Sequence, residues 1–428
     1  MTNQGICTTY ELFGGVNNNG KLARSLVAQS MKQFALIIKK RRQSKPDAIV
    51  AYPGTSFGSL GDQAMFQVAI QNLRSAGYKS ISLITEEKPS RLDLPQRADW
   101  ILHSDHYFNG SIAESTRFQK ELFTSSGFFI IGADMLDGHY SVTDSLRKIH
   151  LLHLAARLGI SSRAFGFSFN ESPDETVVAA LRALPETVGL LARDPVSHRR
   201  LESTLNRPIR LVADLAFLLQ PDPSGESAEK TLNWIKQQRA QRARIIGINA
   251  NGLLARGNFD DPLPIAVGLA RTIHDLHQAN SDLSFVLIPH DFRGSFNDDV
   301  LNRITYEIAG FDNQSLRAKL FLMPSPCFAS EVKAVSAELD FAITGRMHFA
   351  IACLGQGTPV ICIGYQGKME GLFEHFDLPN MVISPIDALV KNELGNMAKA
   401  KLSNVEKLRA QINKQLANVN SLAKLNFV

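Results

Sequence analysis

LDFAITGRMHFAIACLGQGTPVICIGYQGKMEGLFEHFD, residues Leu339–Asp377, carries a strand–turn–helix rhythm that the rest of the chain repeats. The apolar run Phe341–Thr344 is short and reads as a buried strand. Gly345 turns the chain. Arg346, Met347 and His348 then open a helix running to about Leu354, where Gly355 and Gly357 stop it. Pro359–Ile363 forms a second buried strand, Gly364 turns again, and Lys368 begins another helix. Arg346, His348 and Lys368 therefore fall at the carboxyl ends of strands, the edge at which open α/β sheets bind ligands. Helix amino termini at that edge offer N–H groups and a positive dipole end. Together with a guanidinium, an imidazole and an ammonium group, they suit a small, doubly anionic molecule. Such side chains in strand-end loops are often merely solvated. Their occurrence on successive loops is what favours a site.

The same rhythm extends in both directions. Toward the amino end of this half, strands are expected at Ile245–Asn249, Ser284–Pro289 and Lys319–Leu322, with helices at Pro262–Gln278, Ser295–Ala309 and Phe328–Ala337. Asn249 and Asn251 follow the first of these strands and could hydrogen-bond a sugar or a backbone. His290 and Asp291 follow the second. In the other half, strands are expected at Asp47–Pro53, Ser80–Thr85, Trp100–Leu102, Phe128–Gly132, Arg163–Ser168 and Gly189–Ala192, with helical patterns between them. Strands alternating with helices indicate parallel sheets covered on both faces.

The loop after the first strand, GTSFGSLGDQAMF, is glycine-rich but lacks the Gly-Lys-Ser/Thr of a Walker A loop and a full GxGxxG. Gly61 lets backbone approach a ligand there. Asp62 reads first as a helix N-cap, and alternatively as a group that orients or deprotonates a substrate hydroxyl. Asp134, Asp137 and His139 follow the fourth strand, Ser168 the fifth, and Arg193–Asp194 the sixth, either as a surface pair opening a helix or with the guanidinium in the cleft.

Gln220–Lys230, rich in proline, serine and acid, is the candidate linker. The expected organisation is an N-terminal segment and helix (1–44), an N-terminal α/β domain on the acceptor side (45–220), linker and helix (221–243), a C-terminal α/β domain on the donor side (244–385) and a helical tail (386–428). Two Rossmann-like parallel-sheet domains would thus face one cleft, a preferred place for small-molecule sites.

Composition narrows the function classes. The chain has 428 residues, 44% of them hydrophobic, with a mean hydropathy of -0.07, as expected of a globular protein with large cores. A net charge of +5 without a dense basic tract does not point to nucleic acid. Cys7, Cys327, Cys353 and Cys362 show neither disulfide nor zinc spacing and suit a reducing cytoplasm. No secretory leader pattern is evident, and no apolar run approaches the roughly 20 residues of a membrane span. The stretch Lys21–Gln43 reads as an amphipathic helix with a basic end, KKRRQ, which packs on its own domain or makes peripheral membrane contact.

These residues resemble the polysaccharide pyruvyl transferase family. Asp340, Gly345-Arg346-Met347-His348, Gly357-Thr358-Pro359, Tyr365 and Lys368 match its central signature. Gly58-Ser59-Leu60-Gly61-Asp62, Gly132-Ala133-Asp134, Gly166-Phe167-Ser168, Arg193-Asp194-Pro195-Val196-Ser197, Asp214 and Pro289-His290-Asp291 match its other blocks in order, from about Val50 to Leu378. Ser59, Ala133 and Phe167 depart from the family pattern, which commonly has asparagine, glycine and a polar residue there.

The resemblance implies a fold similar to the GT-B glycosyltransferases. It also implies phosphoenolpyruvate as donor, no metal or nucleotide cofactor, and a pyruvate ketal on a cell-surface glycan or its precursor. The acceptor would be a sugar or glycan, lipid- or nucleotide-linked or free. Arg193, Arg346, Met347 and His348 are its donor-site residues, with Lys368 and His290 nearby. Arg346 is expected to pair bidentately with a donor anion, His348 to act as acid, and Asp62, Asp134 or His290 to act as base. Gly61, Asp62, Asp134 and Asn249 are expected on the acceptor side. The alternatives are a nucleotide-sugar glycosyltransferase of the same architecture and a non-catalytic glycan-binding relative.

Overall fold

The computed structural model describes residues 47–87, 89, 90, 94, 98–364 and 367–428. The helix expected over Lys21–Gln43, Cys7 and Tyr365 lie outside them. Among the described residues are two parallel sheets. The first contains β1 (Asp47–Ala51), β2 (Ser80–Thr85), β3 (Trp100–His103), β4 (Gly127–Ile130), β5 (Ser161–Phe167), β6 (Gly189–Ala192) and β7 (Arg210–Leu211), in the order β3-β2-β1-β4-β5-β6-β7. The second contains β8 (Arg244–Asn249), β9 (Leu283–Leu287), β10 (Leu320–Leu322), β11 (Phe341–Thr344), β12 (Val360–Ile363) and β13 (Val382–Ile383), in the order β10-β9-β8-β11-β12-β13.

The helices are α1 (Leu60–Ser75), α2 (Ser104–Phe108), α3 (Ile112–Thr124), α4 (Val142–Arg157), α5 (Glu175–Arg182), α6 (Pro195–Leu205), α7 (Glu226–Ala240) and α8 (Leu263–Ala279), followed by α9 (Asp298–Gly310), α10 (Gln314–Arg317), α11 (Ala329–Ser336), α12 (Met347–Leu354), α13 (Lys368–Glu374), α14 (Glu393–Leu402) and α15 (Val405–Lys424). None of them is long and apolar enough to cross a membrane. The inner strands β4, β9, β11 and β12 are buried along their whole length, as strands covered on both faces must be.

The strand order reverses between β1 and β4 in the first sheet and between β8 and β11 in the second. These are the points where loops diverge to opposite faces and open a crevice. The glycine loop after β1 and the Gly345–Arg346 turn after β11 lie at these two points. The halves meet directly there, where Leu60 N donates to His290 O (3.1 Å) and Phe292 N to Gly58 O (2.9 Å).

Three local features go beyond the sequence pattern. The stretch read as linker becomes helix at Glu226, because the caps of α7 come from far along the chain: Glu331 Oε1 accepts from Ser227 N (3.0 Å) and Ala228 N (3.2 Å). The two-residue edge strands β7 and β13 are too short to show a period, and helix α5 adds a further element before β6. The tail returns to the first sheet. After α15, buried Asn426 accepts from Gly166 N (2.8 Å) and donates to Ala213 O (2.9 Å), and Arg163 donates to Asn426 O (2.6 Å). The chain thus ends packed against the first sheet.

Candidate active site

The two switch points enclose a cleft of about 640 Å³. Its walls include the glycine loop, Asp62, Asp134 and Arg193 on one side and His290, Asn251, Arg346, Met347 and His348 on the other.

Arg346 caps α12 without a side-chain cap bond, and its own amide donates to Thr344 Oγ1 (2.8 Å). Its guanidinium is held by two carboxylates. Nε and Nη2 fork onto Asp298 (3.1 and 2.6 Å), and Nη1 lies 3.0 Å from Asp291 Oδ2. Asp298 also takes Asn249 Nδ2 (2.8 Å) and His290 N (3.2 Å). Burial pushes the Asp298 carboxyl upward against the pull of Arg346. The bidentate edge expected for a donor anion is therefore occupied by Asp298. Asn249 is likewise not an acceptor group here. It is wholly buried, donates from Nδ2 to Ile288 O (3.0 Å) and Asp298 and accepts at Oδ1 from Thr344 Oγ1 (2.9 Å), because the end of β8 turns it between strands instead of toward the cleft.

Arg193 and His348 meet on a second carboxylate. Arg193, almost wholly buried, donates from Nε to Ser168 Oγ (2.7 Å) and from Nη1 to Asp214 Oδ2 (2.9 Å). His348 Nε2 lies 3.5 Å from the same Oδ2, is buried, and makes no hydrogen bond. Burial alone would raise the Asp214 carboxyl. His348, Arg193 and the Ala216 amide outweigh it and hold that carboxyl well below the usual range. The far side of the imidazole rests on Gly61: a Cβ there would lie 2.2 Å from His348 Nδ1. Gly61 thus admits the His348 ring to the cleft wall. The first-turn amides of α12, at Met347 and His348, have no intrahelical acceptor.

Asp62 is not the N-cap of α1. Ser59 is, accepting from Asp62 N at 3.3 Å. Three positions separate the two: the loop holds Ser59 extended as the cap, and Asp62, the third helical residue, lines the cleft. Burial raises its carboxyl, against the charges of Arg293 (Nη1 3.7 Å away) and His348. Lys368 crosses the cleft to Asp134 Oδ2 (2.6 Å), which also accepts from Tyr140 OH (3.2 Å). Burial raises the Asp134 carboxyl, but Lys368 and Arg193 win and hold it low. A residue assigned to the donor and one assigned to the acceptor are thus one interdomain ion pair. Ala133, beside it, has φ 47, the left-handed region that favours the glycine of the family pattern. His290 is pushed down to about 3 by burial, then by the charges of His348 and Arg346. It is a neutral imidazole near pH 7.

The cleft is therefore less cationic than the sequence suggests. Its arginines and lysine are matched by Asp62, Asp134, Asp214, Asp291 and Asp298. The exception among the described residues is Arg256, exposed on the cleft wall with no ion pair. Asp214, Asp298 and Asp291 were given no role by sequence reasoning. Each reads locally as a loop or helix-start aspartate, and its partners come from distant elements. No group of three His, Cys, Asp or Glu side chains among the described residues could hold a metal ion.

The model of the polysaccharide pyruvyl transferase family matches residues 60–367. No protein of curated function matches the sequence. Among solved structures, UDP-GlcNAc 2-epimerase from Neisseria meningitidis, bound to UDP-GlcNAc, has 12% identity and a TM-score of 0.55 over 89% of this chain and 98% of its own. Anabaena HepE, in complex with UDP and glucose, has 11% identity and a TM-score of 0.51 over 89% and 97%. Phytolacca americana UGT2, complexed with UDP-2fluoro-glucose and pterostilbene, has 14% identity and a TM-score of 0.52 over 88% and 94%. At these identities the likeness is one of fold, the two facing α/β domains of GT-B proteins.

Proposed function

The chain belongs to the polysaccharide pyruvyl transferase family, and on that premise we propose that it moves the enolpyruvyl group of phosphoenolpyruvate onto two hydroxyls of a sugar in a cell-surface glycan or its precursor. The observation that carries this is the pair Arg193 and His348, brought from different domains to one carboxylate beside the amino terminus of α12. Arg193 Nη2, which makes no hydrogen bond among the described residues, and the first-turn amides of Met347 and His348 take the donor's anionic groups. Arg346 builds the wall behind them. Lys368 ties the domains together at the cleft edge.

His348 protonates the methylene carbon of the donor, leaving cationic character on the adjacent carbon. One sugar hydroxyl attacks there and gives its proton to Asp62, whose raised carboxyl suits a base. The second hydroxyl displaces phosphate. Of the two hydroxyl protons, one replaces that spent on the methyl group and the other leaves with phosphate, so no oxidant, reductant or metal enters the balance. The free, buried thiols Cys327, Cys353 and Cys362 support a cytoplasmic setting for this chemistry.

The test is thermal stabilisation of the full chain by phosphoenolpyruvate, beside inorganic phosphate, UDP and GDP. At 100 times its dissociation constant a ligand stabilises by about 2.7 kcal/mol. A phosphoenolpyruvate shift exceeding that of phosphate and lost in His348→Asn is expected. A shift with a nucleotide alone overturns the reading in favour of a glycosyltransferase.

A further inference from the structure

Asp214 supplies no atom to the steps above, yet it is braced from three sides. The carbonyl of Ala213 accepts from Asn426 Nδ2 (2.9 Å), near the end of the chain. The amide of Ala216 donates to Asp214 Oδ1 (2.9 Å). Lys333 Nζ, from α11, donates to the carbonyls of Ala216 (3.2 Å) and Phe217 (2.7 Å) in the short 3-10 turn Leu215–Leu218 that Asp214 caps. Lys333 is buried, and burial alone pushes it down to about 8. It makes no ion pair among the described residues, so its effect is to fix this turn. Two distant elements therefore hold Asp214 still, while its Oδ2 faces Arg193 from the first domain and His348 Nε2 from the second.

The two imidazole nitrogens are in different places. Nε2 is shut from solvent against Asp214, and Nδ1 is on the glycine-loop side, packed over Gly61. We infer that Asp214 is the positioning residue of His348, keeping the Nε2 proton directed at its own carboxylate, so that Nδ1 is the nitrogen that exchanges a proton with substrate. Two imidazole nitrogens are chemically distinct, and the group bound at one decides what the other does. In the step proposed above, Nδ1–H gives its proton to the donor's methylene carbon. The ring stays protonated at Nε2 against Asp214, and Nδ1 recovers a proton from the second sugar hydroxyl. Arg193, on the same oxygen, is held in step with the ring. What Nδ1 does rests on the pyruvyl-transfer reading. The ring orientation does not.

The test uses full-length protein labelled with 15N at histidine, with the His348 ring resonances assigned by their loss in His348→Asn. The wild type at neutral pH is expected to show His348 Nε2 as a protonated, pyrrole-type nitrogen. In Asp214→Asn that resonance moves, and phosphoenolpyruvate binds about tenfold or more weaker, a loss of about 1.4 kcal/mol. An unprotonated Nε2 in the wild type overturns the inference. So does a folded Asp214→Asn with an unmoved ring resonance. Should Asp214→Asn not fold, the wild-type tautomer and the Asp214→Glu resonance decide. If phosphoenolpyruvate stabilises neither wild type nor variant, the donor reading falls, and the tautomer still decides the role of Asp214.

Discussion

Two arginine–carboxylate clusters line one cleft, and they are built to different standards. Around Arg346 every guanidinium nitrogen lies within ion-pair distance of a carboxylate oxygen, whereas Arg193 makes its ion pair from Nη1, and Asp298 collects Asn249 and the His290 amide as well. Around Asp214 the count is incomplete: Arg193 keeps one nitrogen without a hydrogen bond among the described residues, and His348 Nε2 is buried without one. A completed polar network rigidifies a wall, whereas an incomplete one is costly to keep, and here it leaves Arg193 Nη2 as the group a ligand could take up. Polar satisfaction, more than residue type, distinguishes the two arginines here.

The largest expected effect tests the first cluster. Arg346→Ala strands the fully buried Asp298 carboxylate, and breaking a buried pair in this way costs about 3–5 kcal/mol. The urea midpoint should fall accordingly, with or without phosphoenolpyruvate. If instead stability survives and only the phosphoenolpyruvate shift disappears, Arg346 is a ligand group and the contrast between the clusters fails.

Gly61→Ala acts on the second cluster. The added methyl would sit 2.2 Å from His348 Nδ1, and overpacking of this kind costs about 1–3 kcal/mol. Calorimetry should show a modest loss of stability together with a disproportionate loss of stabilisation by phosphoenolpyruvate. An equal loss of both would mean that the ring merely fills space.

His290 joins the clusters: its amide binds Asp298, and its ring feels both His348 and Arg346. Its folded value of about 3 lies below the ordinary 6.5. Between those limits the unfolded chain holds the extra proton, so stability is fully present above pH 6.5 and falls as pH drops toward 3. The slope is at most about 1.4 kcal/mol per pH unit. His290→Gln should remove that component from urea midpoints measured across the window. An unchanged slope would show that His290 is protonated in the folded state and that the meeting point of the clusters is wetter than the structure indicates.

The sheets were legible because buried strands and glycine turns are local signals. Phe341–Thr344 and Gly189–Ala192 fall where the apolar runs place them. Arg193, Arg346 and His348 were legible as cleft residues because strand-end position follows from the same pattern. Their partners were not. Nothing near Asp298 in sequence announces Arg346, 48 residues away, and nothing near Asp214 announces Arg163, Gly166 and Ala213 gathering on Asn426. Asp62 was read as a cap because cap preference is a property of type, whereas the capping register is set by the φ and ψ of Ser59. Long-range pairing redistributed the charge of the cleft, and with it the expected cationic pocket.

Arg256 belongs to neither cluster, and the smallest effect is expected there. It is exposed on the cleft wall and pairs with no carboxylate among the described residues. Arg256→Ala should therefore leave the urea midpoint within about 0.5 kcal/mol of wild type. An unneutralised charge still acts at a distance within about 10 Å at 0.1 M salt, so phosphoenolpyruvate affinity in the variant should depend less steeply on ionic strength. A stability loss well above that bound would reveal a structural partner for Arg256. An unchanged salt dependence would leave the anion's attraction to the cleft with Arg193 and the α12 amides alone, the incomplete cluster acting without help from its rim.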